Sequence, residues 1–507
     1  MLIFPLTALL SAVLLTLSMA PYDFYFLAPF SLLPFFAALA LSARFEFGFK
    51  REFLAAWFFA FLFHLFTIWW ISYVSVAGML AVSIFLAFLM ALFLALGVFL
   101  TRKGTPFCLA LSGALLLYEL LVSYLFTGFP WLSFGYALHK SLIPLQSAEI
   151  WGVHGLSFAL VFLQASFAAV IYKGSFRKAL GGIISAAFLW LLIFAFGAVR
   201  IYTLEKEAPQ RTISAALVQL NLPPELKHDP SQDEQTLEDY LAQMRQLALE
   251  NPDVIIWPET GVPGIYNDLA NPACDRLRLL RREIKIPLLS GLSWAVKQKD
   301  GEVLFYNAAA LLDNALMEPK KMYWKKHLVI FGEYVPLMKW LPFLKFLTPI
   351  AGYYSPGDRS HALPLELKSG AKVWLGALIC FEDVFPEEAR KAVTEGADIL
   401  VNITNDGWFW GSPGPYQHAA LARFRAVENR RALVRSANTG VSVAYDRLGR
   451  EKEVLEKEGK RVLIKGNLLC QVDIFAAVLT FYNRCGDWPL LALGLLLIIP
   501  RRRIMVK

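Results

Sequence analysis

Three segments of the chain hold residues whose types and spacing can do nucleophilic acyl chemistry. The first surrounds Cys380. Val373–Ile379 is an apolar run of buried-strand type, Cys380-Phe381-Glu382-Asp383 follows it, and a helix begins near Pro386-Glu387-Glu388. Cys380 therefore stands on a sharp strand-to-helix turn close to a helix N-terminus. That position favours the thiolate and presents it to substrate. It also brings backbone N–H groups near, notably that of Phe381, suited to an oxyanion. Taken alone, the same pattern fits an inert buried cysteine.

The second segment, Asp253-Val-Ile-Ile-Trp257-Pro258-Glu259, ends an apolar strand with a carboxylate. A glutamate there can project into a cleft and act as general base toward a thiol; alone it reads as a solvated loop acid. The third runs from Tyr323-Trp324-Lys325-Lys326-His327 to Phe331-Gly332-Glu333. One lysine of the pair can stabilise charge developing on a tetrahedral intermediate. Neighbouring strand residues face opposite ways, so only one should reach a shared site. Glu333 can orient that lysine or the base; alone the segment reads as a surface strand with a basic pair.

No Cys-x-x-Cys or Cys/His cluster suggests zinc, and no metal or organic cofactor is indicated. Cys108 lies in an apolar run and reads as a buried small hydrophobe. Cys274, Cys470 and Cys485 are compatible with free or paired states.

These segments occupy one part of an unusually apolar chain. Of 507 residues, 57% are hydrophobic and 18% charged, with a mean hydropathy of +0.48; ordinary soluble domains sit nearer ~45–50% apolar. The charges are concentrated in 205–475. Before them come seven long apolar runs, near 3–20, 25–43, 53–72, 77–100, 106–126, 154–172 and 179–199, and an eighth, shorter one lies near 486–500. Each of the seven approaches or exceeds the ~20 residues that cross a ~30 Å hydrocarbon core as helix. Within these runs Glu119 and His64 are the main polar residues, with no evident partner. The net charge of +8 does not indicate nucleic-acid binding, because many positive residues border apolar runs, where they set topology.

Lysine and arginine mark alternate boundaries: Arg44, Lys50 and Arg51; Arg102 and Lys103; Lys173, Arg177 and Lys178; and Arg501, Arg502, Arg503 and Lys507, with Lys140 the exception. With the N-terminus inside and eight crossings, all four boundaries are cytoplasmic and the long polar insert is outside. Residues 127–153 form a longer outer loop whose Pro, Trp and Tyr content suits the headgroup level. The insert alternates strands (Ile213–Gln219, Val254–Trp257, Leu288–Ser290, Ala308–Leu312, Val373–Ile379, Ile399–Ile403, Val441–Tyr445) with helices (Gln232–Glu250, Cys274–Glu283, Glu387–Glu395, Tyr416–Asn429), which argues a layered α/β domain. Segments 334–360 and 405–416, rich in Pro, Gly and aromatics, read as functional loops.

The expected division is thus a membrane domain of seven helices over 1–204, an extracytoplasmic domain over 205–475, and a last transmembrane helix with a basic cytoplasmic tail over 476–507.

The three segments, in this chain order, resemble the nitrilase or carbon–nitrogen hydrolase superfamily over about 212–473. The resemblance implies an α-β-β-α sandwich with Glu259 as base, Lys325 as oxyanion-stabilising lysine, Cys380 as nucleophile and Glu333 in support, beside Phe381 and Glu382. Over essentially its whole length the chain is similar to the bacterial apolipoprotein N-acyltransferase family. Thr127-Gly-Phe-Pro-Trp-Leu-Ser-Phe-Gly-Tyr136, Gly152-Val-His-Gly-Leu-Ser157, Lys326-His-Leu-Val-Ile-Phe-Gly-Glu-Tyr-Val-Pro336, Asn405-Asp-Gly-Trp-Phe409, Gln417-His418, Ala422–Glu428 and Arg435–Gly440 carry that similarity. Phe381 stands where the family often has Tyr, His228 where a Trp is common, and Ile330 replaces the usual Pro.

The resemblance implies a multi-pass protein of the bacterial inner membrane with its catalytic domain in the periplasm. It implies acyl transfer from a phospholipid, typically phosphatidylethanolamine, through a Cys380 thioester to the α-amine of a diacylglyceryl-cysteine apolipoprotein. Trp408, Phe409 and His228 are then candidate substrate contacts, and aromatic loops near 340–354 and 408–410 candidate lids at the membrane interface. The competing readings are a membrane-tethered amidase of the same superfamily and a transporter with an external binding domain.

Overall fold

The computed structural model describes residues 3–223, 230–268, 271–312, 321–335 and 354–499. His228, most of the expected 340–354 loop and the basic residues Arg501, Arg502, Arg503 and Lys507 lie outside them. The chain divides into two compact units, Met1–Lys206 with Thr480–Lys507, and Glu207–Leu479.

The first unit is helical: α1 (Ile3–Ser18), α2 (Leu33–Phe45), α3 (Phe49–Ile68), α4 (Val76–Arg102), α5 (Phe107–Tyr124), α6 (Ala148–Lys173) and α7 (Phe176–Glu205). Six spans among the described residues are long and apolar enough to cross a membrane, from Tyr25–Phe45 to Phe176–Glu205. The first and last of the eight expected helices, Ile3–Ser18 and Trp488–Leu497, are apolar but shorter, 16 and 10 residues.

Basic boundaries meet at one end of this unit. Arg44 Nη1 donates to the Ile171 carbonyl (3.1 Å). Arg102 pairs with Glu52 (Nη1–Oε2 3.0 Å) and donates to the Ser42 carbonyl (3.2 Å). The exception, Lys140, is ion-paired with Asp23 (2.5 Å).

Within the loop expected at headgroup level, residues 130–139 are packed inside the unit. Trp131, Phe134 and Tyr136 are at most 3% exposed. Irregular backbone survives among membrane helices only where protein groups satisfy it, and here they do. The Phe134 N–H donates to Glu119 Oε1 (2.8 Å) and the Gly135 N–H to Ser157 Oγ (2.7 Å). Glu119 also meets His154 Nδ1 (3.1 Å), and His64 Nε2 meets the Tyr118 hydroxyl (3.2 Å). Both polar residues of the apolar runs thus have partners.

The second unit is a sandwich of two six-stranded sheets, ordered β12-β1-β2-β3-β4-β5 and β11-β10-β9-β8-β7-β6. The strands are β1 (Arg211–Gln219), β2 (Val254–Ile256), β3 (Leu288–Lys297), β4 (Val303–Leu312), β5 (Met322–Trp324), β6 (Ala362–Glu366), β7 (Lys372–Ile379), β8 (Ile399–Thr404), β9 (Leu433–Ala437), β10 (Val443–Tyr445), β11 (Glu451–Val454) and β12 (Gly466–Ile474). Side chains alternate across a strand, so each sheet has two apolar faces to cover. Ile213, Ala215, Leu217, Val254 and Ile256 meet Leu375, Ala377, Ile379, Val401 and Ile403 in the central layer. The outer face of the first sheet packs on α8 (Asp233–Ala248) and α9 (Pro272–Glu283) through Leu237, Tyr240, Met244 and Leu277. That of the second packs on α10 (Pro386–Thr394) and α11 (Gly414–Asn429) through Ala389, Val393, Ala419 and Ala426. The layering is α-β-β-α.

Candidate active site

β7 and β8 pair in parallel, Ile379 beside Ile403, and β7 ends directly at Cys380. Cys380 has φ +52°, a left-handed conformation costly for a side-chain-bearing residue. The chain then makes a single turn, Cys380–Val384, before α10. Glu382, fully buried, holds this elbow. Its Oε2 accepts the Ile379 N–H (2.8 Å). Its Oε1 accepts the Tyr323 hydroxyl (2.6 Å) and the N–H groups of Lys326 (2.8 Å) and His327 (3.1 Å). One carboxylate thereby ties the elbow to the lysine segment of the opposite sheet. Burial pushes the Glu382 carboxyl upward.

Lys325 follows β5, its N–H bonded to the Asn307 carbonyl of β4 (2.8 Å). It is 1% exposed, with Nζ 2.8 Å from Glu333 Oε2 and 3.5 Å from Glu259 Oε1. Burial works against its charge, but Glu333 and then Glu259 outweigh it and hold the ammonium above its ordinary range. Lys326 turns elsewhere, its Nζ 3.7 Å from Glu395. Glu259 leaves β2 through Trp257-Pro258, and its backbone passes so close to Gly291 that a Cβ there would stand 2.6 Å from the Glu259 Cα. Asn307 joins the carboxylates: Nδ2 donates to Glu259 Oε1 and to Glu333 Oε1, each at 2.8 Å.

Glu259, Lys325 and Glu333 thus lie together, and the Cys380 thiol is electrostatically coupled to Lys325 and Glu259. Burial first, and then the Glu259 charge, push the Cys380 thiol well above its usual range. Both causes run against the thiolate that the turn and helix end were expected to favour.

Behind the elbow lies a ring of four buried charges. His418 of α11 stands 2.6 Å from Asp383 Oδ1 and 2.9 Å from Asp406 Oδ1. Arg435 of β9 reaches Asp406 Oδ2 at 2.9 Å and Asp383 Oδ2 at 3.6 Å. Burial opposes the imidazolium, but Asp383 and Asp406 raise His418 to about 9. Thr404 donates to Asp406 Oδ1 (3.2 Å), and Asn402 Nδ2 donates to the Cys380 carbonyl (3.0 Å). Trp408 and Phe409 are half-buried on the turn Asp406–Phe409 that follows β8. Phe381 packs edge-on against Phe385, ring centroids 5.1 Å apart.

Sequence reasoning did not single out Asn307, Tyr323 or the four-charge ring. Asn307 was detectable as a lone amide in the apolar run Asn307-Ala-Ala-Ala-Leu-Leu, and Arg435 as a charge inside Leu433–Ala437.

Residues 214–465 match the carbon-nitrogen hydrolase family, and residues 11–166 match the apolipoprotein N-acyltransferase N-terminal domain. A protein of Geobacter metallireducens named apolipoprotein N-acyltransferase is 36% identical over 427 residues, 82% of this chain and 78% of that one. The chain belongs to the apolipoprotein N-acyltransferase family. A member of this family from Rhodopseudomonas palustris is 30% identical across 98% of this chain and 95% of its own. Among solved structures, a Saccharomyces cerevisiae member of branch 10 of the nitrilase superfamily is 19% identical, with a TM-score of 0.39, covering 53% of this chain and 92% of that one.

Proposed function

We propose that this protein transfers an acyl chain from a membrane phospholipid to the α-amine of a diacylglyceryl-cysteine lipoprotein, with Cys380 as nucleophile, Glu259 as base and Lys325 as oxyanion stabiliser. The observation that supports the reading is the buried Lys325 ammonium 3.5 Å from the Glu259 carboxylate, with the Cys380 thiol electrostatically coupled to both, in a chain of this family.

In the first step Glu259 takes the thiol proton as Cys380 Sγ attacks the phospholipid ester carbonyl. The Lys325 ammonium and the Phe381 N–H stabilise the oxyanion. The C–O bond breaks, the leaving alkoxide takes the proton from Glu259, and lysophospholipid departs. In the second step the lipoprotein amine attacks the thioester, Glu259 accepts the amine proton, and the sulfur leaves and is reprotonated. Both substrates carry acyl chains whose exposure to water costs ~0.8 kcal/mol per CH₂, which supports catalysis at a bilayer surface. The six membrane-length helices support a multi-pass protein. The clustering of Arg44 and Arg102 at one end of the helical unit supports a cytoplasmic placement of that end. The reading places the protein in the inner membrane with its catalytic unit in the periplasm, and phosphatidylethanolamine as donor.

Intact-mass spectrometry of the detergent-purified protein after incubation with phosphatidylethanolamine tests this. A long-chain acyl adduct is expected on Cys380, discharged by a diacylglyceryl-cysteine peptide and lost in Cys380→Ala. Absence of any adduct, or an adduct discharged by water as fast as by the peptide, would overturn it.

A further inference from the structure

The Asn307 side chain touches both carboxylates that flank Lys325. Its orientation is forced. A carboxylate oxygen accepts and does not donate, so the atom 2.8 Å from Glu259 Oε1 and 2.8 Å from Glu333 Oε1 has to be the NH₂ nitrogen. Both of its hydrogens are committed. The other end of the amide, Oδ1, is then left buried with no hydrogen-bond partner among the described residues, at a cost in stability. A residue 2% exposed that forgoes one bond to make the other two is held for what those two achieve.

What they achieve follows from the distances. The Lys325 ammonium lies 2.8 Å from Glu333 but 3.5 Å from Glu259. Two carboxylates around one buried ammonium would otherwise compete for it, and a base in close contact with an ammonium is a poor proton acceptor. The Asn307 amide takes up part of the charge of each carboxylate. It leaves Glu333 as the lysine's close partner and holds Glu259 at the longer distance. We propose that Asn307 is a positioning residue that keeps Glu259 apart from Lys325, so that one remains a base and the other a free oxyanion donor. This rests on the roles proposed above for Glu259 and Lys325.

The test uses the full-length protein in detergent with two reactions of Cys380. Alkylation by iodoacetamide at neutral pH reports base-assisted deprotonation and needs no lipid. Acylation by phosphatidylethanolamine reports the first half-reaction. Asn307→Ala is expected to slow both roughly 10- to 100-fold, the worth of hydrogen bonds to charged groups, with the KM for phospholipid within about twofold of the unmodified protein. Asn307→Gln, which keeps the two donors, is expected to regain most of both rates. The proposal is overturned if Asn307→Ala alkylates at the unmodified rate. It is equally overturned if Gln and Ala are slowed alike, which marks a packing role, or if the whole loss falls on KM. Failure of the functional reading looks different: the unmodified protein alkylates at Cys380 but never acquires an acyl chain.

Discussion

The Glu382 carboxylate accepts the Tyr323 hydroxyl at 2.6 Å, joining the turn that carries Cys380 to the strand that leads into Lys325. The same carboxylate takes the N–H groups of Ile379, Lys326 and His327. Replacing it with Gln removes the charge that holds these donors. Glu382→Gln should lower the Cys380 acylation rate about 100-fold, because a small misplacement of reacting groups is enough for that. It should destabilise the catalytic unit by about 2–3 kcal/mol. Tyr323→Phe, which removes one donor of the set, should cost about 1–2 kcal/mol. Single-turnover acylation and thermal unfolding in detergent measure both; an unaffected Glu382→Gln would show that the elbow holds itself.

Cys380 rests as a thiol because burial and then the Glu259 charge oppose its ionisation. Its uncatalysed alkylation should therefore keep rising with pH beyond the ordinary cysteine range near ~8.5, with no plateau there. Glu259→Gln removes the base, so alkylation at neutral pH and acyl transfer should both fall, while direct ionisation of the thiol, freed of one of its opposing causes, should begin at lower pH in that variant. A plateau below the ordinary range in the unmodified protein would mean a resting thiolate and a different role for Glu259.

His418 makes stability depend on pH. Its folded value of about 9 lies above the ordinary 6.5, so its contribution is complete below about 6.5 and is lost as pH rises through about 9. Over that window the catalytic unit should lose about 3 kcal/mol. Asp406 is held below its ordinary value by Arg435 and His418 despite burial, so its contribution is present at neutral pH and fades in acid. Denaturant titrations across this range should show an alkaline decline that His418→Gln abolishes along with a loss of baseline stability. A decline that persists in the variant would assign the effect to another group.

In the helical unit, Glu119 serves both the Phe134 N–H and His154. Glu119→Ala leaves the buried 130–138 segment with an unmet donor and should lower stability in detergent by about 2–4 kcal/mol. Glu119→Gln, which still presents an oxygen to Phe134, should lose less. Equal melting temperatures for Ala and Gln would show that the segment is held by packing.

How much of the fold was legible tracks burial. Strands β1, β2, β3, β4, β7, β8 and β10 were all foreseen, with shorter limits for β3 and β4, because buried central strands read as apolar runs. Of the four edge strands that end the two sheets, β6, β11 and β12 were missed, and β5 was read only as a surface strand carrying the basic pair. An edge strand needs no continuous apolar run and tolerates polar residues, as in Glu451-Lys-Glu-Val, and proline, as at Pro364. Central β9 was missed for another reason: Arg435 and Ser436 interrupt its pattern, and Arg435 is inside because Asp406 and Asp383 meet it there.

By itself the sequence determined the solvent of each part, the helical and α/β character of the two regions, and which Glu, Lys and Cys types could act. Periodicity and composition encode these locally. Only the tertiary structure decided that Lys325 and not Lys326 faces Glu259, that Asn307 bridges Glu259 and Glu333, and that burial opposes ionisation of the Cys380 thiol. Each depends on distances between residues far apart in the chain and on the loss of water around them, and no local pattern records either.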